Sequence, residues 1–312
     1  QRSPHAKVKC AECHIGPGAE WFVKAKISGS WQLVSVALDL YPTPIPTPIH
    51  NLRPARDTCE QCHWPTKHIG DLLRVKSVFQ DDEPNSEFRT AVLLKVGGIA
   101  GREMQGIHWH VSRDVQIRFQ SDERREKIYE LEMTDADGNV TVYKGNEEAP
   151  EDANHFRVMD CVDCHNRPTH RYDLPNDAVD SSMANGVIDK TLPYIKRESM
   201  RVLTAGYESH EAAESQIEME INNFYREQYP DIAAQKAPQI TDAVAELNEI
   251  YTSNVFPAMK VDWGTYPDHS GHDGCFRCHG RLKTEEGKTI PRNCGYCHSV
   301  LAWEEEDPEI LR

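Results

Sequence analysis

The ten cysteines of this 312-residue chain all lie in five copies of one pattern, Cys-x-x-Cys-His. The copies are Cys10-Ala11-Glu12-Cys13-His14, Cys59-Glu60-Gln61-Cys62-His63, Cys161-Val162-Asp163-Cys164-His165, Cys275-Phe276-Arg277-Cys278-His279 and Cys294-Gly295-Tyr296-Cys297-His298. Two thiols at this spacing can each add to one vinyl group of a single porphyrin, while the adjoining imidazole reaches the iron from the proximal side. The pattern is the attachment signal for c-type haem. Cys-x-x-Cys pairs also build zinc sites, and 15 residues separate the last two pairs, within the zinc-ribbon range. A lone pair can equally be a thiol–disulfide centre. Histidine decides between these readings. There are 15 histidines in 312 residues, so a histidine after all five pairs is no accident of composition. The expectation is five covalently bound haem c groups, anchored by Cys10, Cys13, Cys59, Cys62, Cys161, Cys164, Cys275, Cys278, Cys294 and Cys297. Their proximal ligands are His14, His63, His165, His279 and His298.

A bis-histidine haem needs a second imidazole, which carries no local motif. Ten histidines remain for five places: His5, His50, His68, His108, His110, His155, His170, His210, His269 and His272. An ordinary surface histidine is the competing reading for each. Ile107-His108-Trp109-His110-Val111 alternates as a strand does, which would put both imidazoles on one face. His170 follows His165 by five residues, and Arg167-Pro168 between them turns the chain toward a neighbouring haem. His269 and His272 stand just ahead of the fourth motif. Met104, Met133 and Met159 could supply a higher-potential ligand, but the surplus of histidines makes them unnecessary. With both axial positions filled an iron cannot take substrate, and the Cys-x-x-Cys-Lys motif of one class of multihaem reductase is absent. The chain therefore reads as an electron carrier with no catalytic residues, not an enzyme.

The elements that must hold these groups are unevenly distributed. Motif starts are 49, 102, 114 and 19 residues apart, so there is no regular repeat. Alternate prolines over Tyr41–Pro48 predict an extended, polyproline-like stretch. Residues from about 90 to 144 read as β, with alternation over Val115–Phe119 and Ile128–Met133 and a hairpin turn at Asp137-Gly138. The Asp135/Asp137/Asn139 cluster lacks the loop pattern and terminal Glu of a calcium site and reads as that turn. From 176 to about 253 the period is helical. Ile217, Ile221, Phe224 and Tyr225 form one stripe and Val244, Leu247, Ile250 and Tyr251 another, expected to face other helices and haems. Pro193, Pro230 and Pro238 mark starts or breaks. The fold class expected is that of a multihaem cytochrome c, mostly helix and irregular loop wrapped around haems, with a small antiparallel β module.

Composition agrees. Only 38% of residues are hydrophobic and the mean hydropathy is −0.65, modest unless cofactors supply part of the apolar interior. No stretch approaches the ~20 apolar residues of a membrane span. A net charge of −15 argues against a nucleic-acid partner and suits either a redox partner with a basic patch or simple solubility. Covalent haem attachment takes place outside the cytoplasm, which predicts an extracytoplasmic protein, in the periplasm or at the cell surface. A start at Gln1 implies a leader or anchor removed or left out, so a membrane tether in a full-length form stays open.

Met159-Asp160-Cys161-Val162-Asp163-Cys164-His165-Asn166-Arg167-Pro168-Thr169-His170 resembles the last haem motif of the NapC/NirT family of membrane-anchored multihaem cytochromes. In that family a second His five residues on ligates a different haem. Ser3-Pro4-His5, Lys24 to Trp31 and His50 also resemble family segments, so the likeness covers roughly residues 3–175. It implies His5, His50 and His170 as distal ligands. With His110 and His272 these are the favoured set, and His108, His269, His210, His68 and His155 are held in reserve. Gly106–His110 and the last two motifs resemble a longer, metal-respiration-type subgroup. The family's membrane helix and first haem motif, which accept electrons from quinol, are not in these residues.

The regions expected are a two-haem NapC/NirT-like part (1–75), a β-hairpin module (76–150), a third-haem region (151–205), a helical segment (206–258) and a C-terminal two-haem region (259–312). The function expected is electron carriage along bis-histidine haems between a quinol-side donor and a downstream respiratory acceptor. Its partners would be redox proteins, including a membrane-anchored quinol-oxidising segment or subunit. One alternative is a self-assembling subunit of a conducting extracellular filament; the other is a reductase with one open haem.

Overall fold

A computed structural model describes residues 3–16, 18–49, 54–63, 70–97 and 106–312. In chain order its elements are α1 (Cys10–His14), α2 (Ala19–Ala37), α3 (Ala55–Cys59), β1 (Leu72–Phe79), β2 (Glu87–Leu94), β3 (Gln116–Ser121), β4 (Ile128–Thr134), β5 (Val140–Lys144) and β6 (Arg157–Val158). Then come α4 (Pro175–Ala184), α5 (Ile195–Leu203), α6 (His210–Gln228), α7 (Pro230–Gln235), α8 (Ala237–Asn254), α9 (His272–Cys275), α10 (Cys294–Cys297) and β7 (His298–Glu305). Short 3-10 helices at Gly106–Val111 and Cys161–Asp163 complete the parts that matter here.

Contacts divide the chain into two units that interleave along the sequence. The first comprises Gln1–Leu72, Leu93–Arg171 and Asp268–Ser299; the second comprises Leu73–Val92, Tyr172–Pro267 and Val300–Arg312. All five Cys-x-x-Cys-His motifs fall in the first unit.

The first unit is organised by a four-stranded antiparallel sheet of order β5-β4-β3-β6. The β4–β5 turn forms where the Asp-Gly signal lies. Gly138 takes φ +84°, and the Asp135 carboxylate accepts from the backbone of Asp137 and Asn139. One sheet face buries Ile117, Phe119, Ile128 and Leu131 against Leu282. The strand ends deliver the chemistry. β3 starts five residues after Val111, β6 leads within three residues into Cys161, and Lys144 pairs with Lys283 beyond the fourth motif. α2 was not anticipated as a helix; along it Ile27, Trp31 and Leu33 are exposed. The proline stretch before Ile49 is not continuous polyproline, because the chain bends at 43–44 and 47–48.

The second unit has its own core. Ile217, Ile221 and Tyr225 of α6 are buried with Val244, Leu247 and Ile250 of α8, along with Ile195 and Val202 of α5. Each such side chain contributes roughly 1.5–3 kcal/mol by leaving water. The helical stripes therefore pack on one another, in a unit that holds no cysteine motif. Ser209 caps α6 by accepting from Ala212, and Pro230 and Pro238 sit in the first turns of α7 and α8, where no donor is lost. A three-stranded sheet has order β1-β2-β7; its last strand runs into the acidic stretch that sequence reading left as a solvated face.

One ion pair holds several elements of this second unit. Lys196 Nζ and Asp180 Oδ1 are 2.6 Å apart with side chains 1% and 2% exposed. The same carboxylate accepts from the Phe79 backbone and from Asn176 Nδ2. Asn85, also buried, accepts from the Lys196 backbone and donates to the Lys190 and Leu192 carbonyls. Asp180→Ala strands a buried ammonium and should cost about 3–5 kcal/mol, whereas Asp180→Leu with Lys196→Met should recover most of that loss. Hydrogen exchange of α4 and α5 in the holoprotein measures both; equal destabilisation by the single and double variants would contradict it.

Candidate functional site

Each motif is a single helical turn, which puts its two sulfurs, three residues apart, on one side and the histidine at the turn's end. The histidine N–H donates to the carbonyl of the first cysteine in the second to fifth motifs, at 2.7 Å for His63 and 2.8 Å for His165, and likewise for His279 and His298. None of the ten cysteines is in a disulfide.

The five motif histidines each face one other histidine. Ring centres are 6.0 Å apart for His63 and His5, 6.2 Å for His14 and His170, 6.3 Å for His165 and His108, 5.8 Å for His279 and His110, and 6.0 Å for His298 and His272. Among the described residues no histidine ring serves in two of these pairs. A metal between two imidazoles stands ~2.0 Å from each nitrogen, which with the ring's own half-width separates the centres by roughly 6 Å. Ordinary aromatic contacts share this distance range. A one-to-one match of all five motif histidines is what ligation requires and what incidental ring contact does not.

The second ring nitrogen sharpens the distinction. A ligating imidazole usually donates its other N–H to a carbonyl or carboxylate, which fixes the tautomer. Nδ1 lies 3.0 Å from the Pro168 carbonyl in His5, 2.7 Å from Val96 in His108, 2.9 Å from Ile107 in His110 and 2.7 Å from Pro291 in His279. In each, Nδ1–H donates and Nε2 keeps its lone pair. Burial also pushes the His110 and His165 imidazoles down, toward the neutral form a metal needs.

The remaining candidates are placed otherwise. His210 is in the second unit against Tyr251 and Phe256, with its Nε2 spent on the Val255 carbonyl at 2.6 Å. His155 is exposed in a loop. His269 is buried, and desolvation, reinforced by the Arg277 and Arg167 guanidiniums, brings it down to about 4, so it is neutral at ordinary pH. Its carbonyl sits where a Cβ on Gly274 would be, which holds the approach to the fourth motif to glycine. His50 and His68 lie outside the described residues, as does Met104. The cysteines of the last two motifs do not converge as a zinc tetrad must; among the described residues no group of three or more His, Cys, Asp or Glu could hold an ion.

Residues inside and beside the motifs, which sequence reading passed over, tie them together. Asp160 and Asp163 make a reciprocal capping box on the third motif, and the Asp160 carboxylate also accepts from Ala55 N at the start of α3. The Asp-x-x-Asp spacing was a legible sign of that cap. Asp163 is 2% exposed and meets the Arg157 and Arg125 guanidiniums, while burial pushes its carboxyl up. Arg277, within the fourth motif, donates to the carbonyls of Asp163, Arg125 and Gly274.

The alternation at 107–111 proved misleading. Gly106–Val111 is a 3-10 helix, not a strand, so His108 and His110 point to two different partners. Its cause is local. Gly106 takes φ +62°, and a Cβ there would stand 2.1 Å from the Lys95 carbonyl, which accepts from Ile107 N.

No family model matches the chain, and no solved structure matches it. A curated protein of Geobacter sulfurreducens, the cytochrome c-type protein ImcH, is 44% identical over 316 residues, covering 98% of this chain. This chain is similar to a cytochrome c-type protein. It spans 62% of that relative's length. The likeness to a cytochrome c-type protein is in keeping with the five Cys-x-x-Cys-His motifs and with a structure of helices and small antiparallel sheets.

Because one glycine sets two rings, Gly106→Ala should disturb the third and fourth motif sites together and spare the other three. Ferric EPR of the haem-loaded variant should show the signals of these two sites shifted or converted to high spin and the other signals unchanged. An unaltered spectrum would show that the turn does not set these rings.

Proposed function

We propose that this chain is an extracytoplasmic pentahaem cytochrome c that conducts electrons through five bis-histidine sites. The reading is carried by the one-to-one pairing of motif histidines with His170, His5, His108, His110 and His272 as distal ligands to the first through fifth motifs. Haem c supplies a reversible one-electron ferric–ferrous couple. The polypeptide's part is to anchor the group through two thiols, to present Nε2 from both sides and to hold the imidazole tautomer through carbonyls. Two nitrogen ligands per site leave no position for substrate, which supports a carrier over the reductase alternative.

The NapC/NirT-like reading is supported by His170, which faces the histidine of the first motif and not that of its own. His108, held in reserve by sequence reading, faces the histidine of the third motif. Among the described residues no helix is long and apolar enough to cross a membrane. A quinol-side donor would therefore reach this chain through another segment or subunit, and a downstream redox protein would take the electrons up.

Intact mass and a pyridine haemochrome assay should give five haems per chain, with ferric EPR wholly low-spin and a reduced spectrum unmoved by CO. His170→Ala should open one site, so that about one fifth of the absorbance responds to CO. Fewer than five haems, or a CO response in the unaltered protein, would overturn the reading.

A further inference from the structure

With two imidazoles at every site, axial ligand identity cannot set the five potentials apart; nearby charge and burial can. The two variable positions of each motif differ in charge. The first three motifs hold a carboxylate there, in Glu12, Glu60 and Asp163, and the fifth holds Gly295 and Tyr296. The fourth alone holds a cation, Arg277.

These charges are met differently. Glu12 is exposed to water, and Glu60 has the Arg56 guanidinium at 3.3 Å. Asp163 is buried but carries Arg157 and Arg125 on its oxygens. Arg277 forms no ion pair among the described residues. Its Nε donates to the Gly274 carbonyl at 3.0 Å, and its terminal nitrogens donate to the carbonyls of Arg125 and Asp163. Neutral acceptors therefore fix this guanidinium without cancelling its charge. A second one, Arg292, stands 3.7 Å from the ring centre of Phe276, the other variable residue of the motif. Phe276 also stacks on His272, so the fifth site shares that charge. The carboxylates ahead of the fourth motif, Asp268 and Asp273, are exposed.

Burial acts in the same direction. Among the described residues Cys278 is the one motif cysteine packed against a buried apolar cluster, that of Ile117, Phe119, Leu131 and Leu282. Cys10, Cys13 and Cys294 are exposed. Lys95 Nζ donates to the Gly295 carbonyl and gives the fifth motif a cation, but not this apolar backing. A ferric site carries one positive charge more than a ferrous one. A fixed guanidinium and a less polar surrounding both favour the ferrous form.

We propose that the fourth motif is the highest-potential site of the five, where the first electron taken up comes to rest, and that the charge of Arg277 raises it. This rests on the pentahaem, bis-histidine reading. Filling the site takes one electron from a redox-protein donor, which is oxidised by one, and turns one ferric site ferrous with no bond made or broken.

Redox titration of the holoprotein, followed through its ferric EPR signals as the potential is lowered, tests this. Cys275→Ala with Cys278→Ala removes the fourth haem, so the component reduced first should vanish while the other four remain. Arg277→Gln should lower the reduced-to-oxidised ratio of that same component roughly tenfold at a fixed potential, a shift of ~59 mV. Arg277→Lys keeps the charge and should stay close to the unaltered protein. Where the haem-deficient chain does not fold, the two Arg277 variants decide. Survival of the first-reduced component without the fourth motif, no shift of that component in the Gln variant, or equal shifts in the Gln and Lys variants would overturn the proposal. Fewer than five haems, or a CO response in the unaltered protein, would instead defeat the pentahaem reading.

Discussion

The structure is organised by five ring pairs that no local motif can supply: each motif histidine faces a second imidazole at about 6 Å that comes from elsewhere in the chain. His5 precedes the first motif yet faces the second, and His170 follows the third yet faces the first. His108 and His110 come from between the second and third motifs and face the third and fourth. The segments thereby interlock, since no motif completes its site from its own stretch of chain. Backbone carbonyls that accept from Nδ1 extend the interlock, as Pro168 does for His5 and Val96 for His108. Long-range pairing of this kind orders many residues at once and is stabilising only when several pairs form together.

That dependence explains what could be read in advance. The Cys-x-x-Cys-His turns are local chemistry and are legible residue by residue. The Asp137-Gly138 hairpin and the stripes of α6 and α8 are legible for the same reason, because a turn residue or a 3.6-residue period is written into a short window. The histidine partners are not, since nothing near His108 names His165. The 107–111 segment shows how a local pattern can mislead. Alternating apolar and polar residues fit a strand, but the Lys95 carbonyl packed against Gly106 wound the segment into a 3-10 turn. Interleaving of the two units was equally hidden, for it depends on strands such as β7 joining β2 across more than 200 residues of sequence.

The two units solve the problem of stability differently. In the second, α5, α6 and α8 bury Leu203, Ile217 and Leu247 completely, and the pair Lys196–Asp180 is shielded, with Lys196 Nζ also donating to the Asn176 carbonyl. A protein core of this kind is self-sufficient. In the first, the purely protein core is the small cluster on one face of the four-stranded sheet, and its strand ends adjoin the third motif, the 3-10 turn with His108 and His110, and the segment beyond the fourth motif. The sheet acts there as a jig for the histidines more than as a source of buried area.

Buried charge supplies the remaining precision. Asp163 and Arg277 occupy the variable positions of two successive motifs, where the attachment chemistry places no demand on residue type. A carboxylate that is 2% exposed is costly unless paired. Asp163 meets that cost by taking Arg157 and Arg125 on its oxygens while holding the Asp160 backbone N–H. Arg277 donates to carbonyls of the same cluster, so the third and fourth motifs are fixed by directional bonds to shared atoms. Apolar packing would tolerate sliding of one motif past the other. A network with few alternative geometries does not, and two imidazoles converging on one atom require that selectivity.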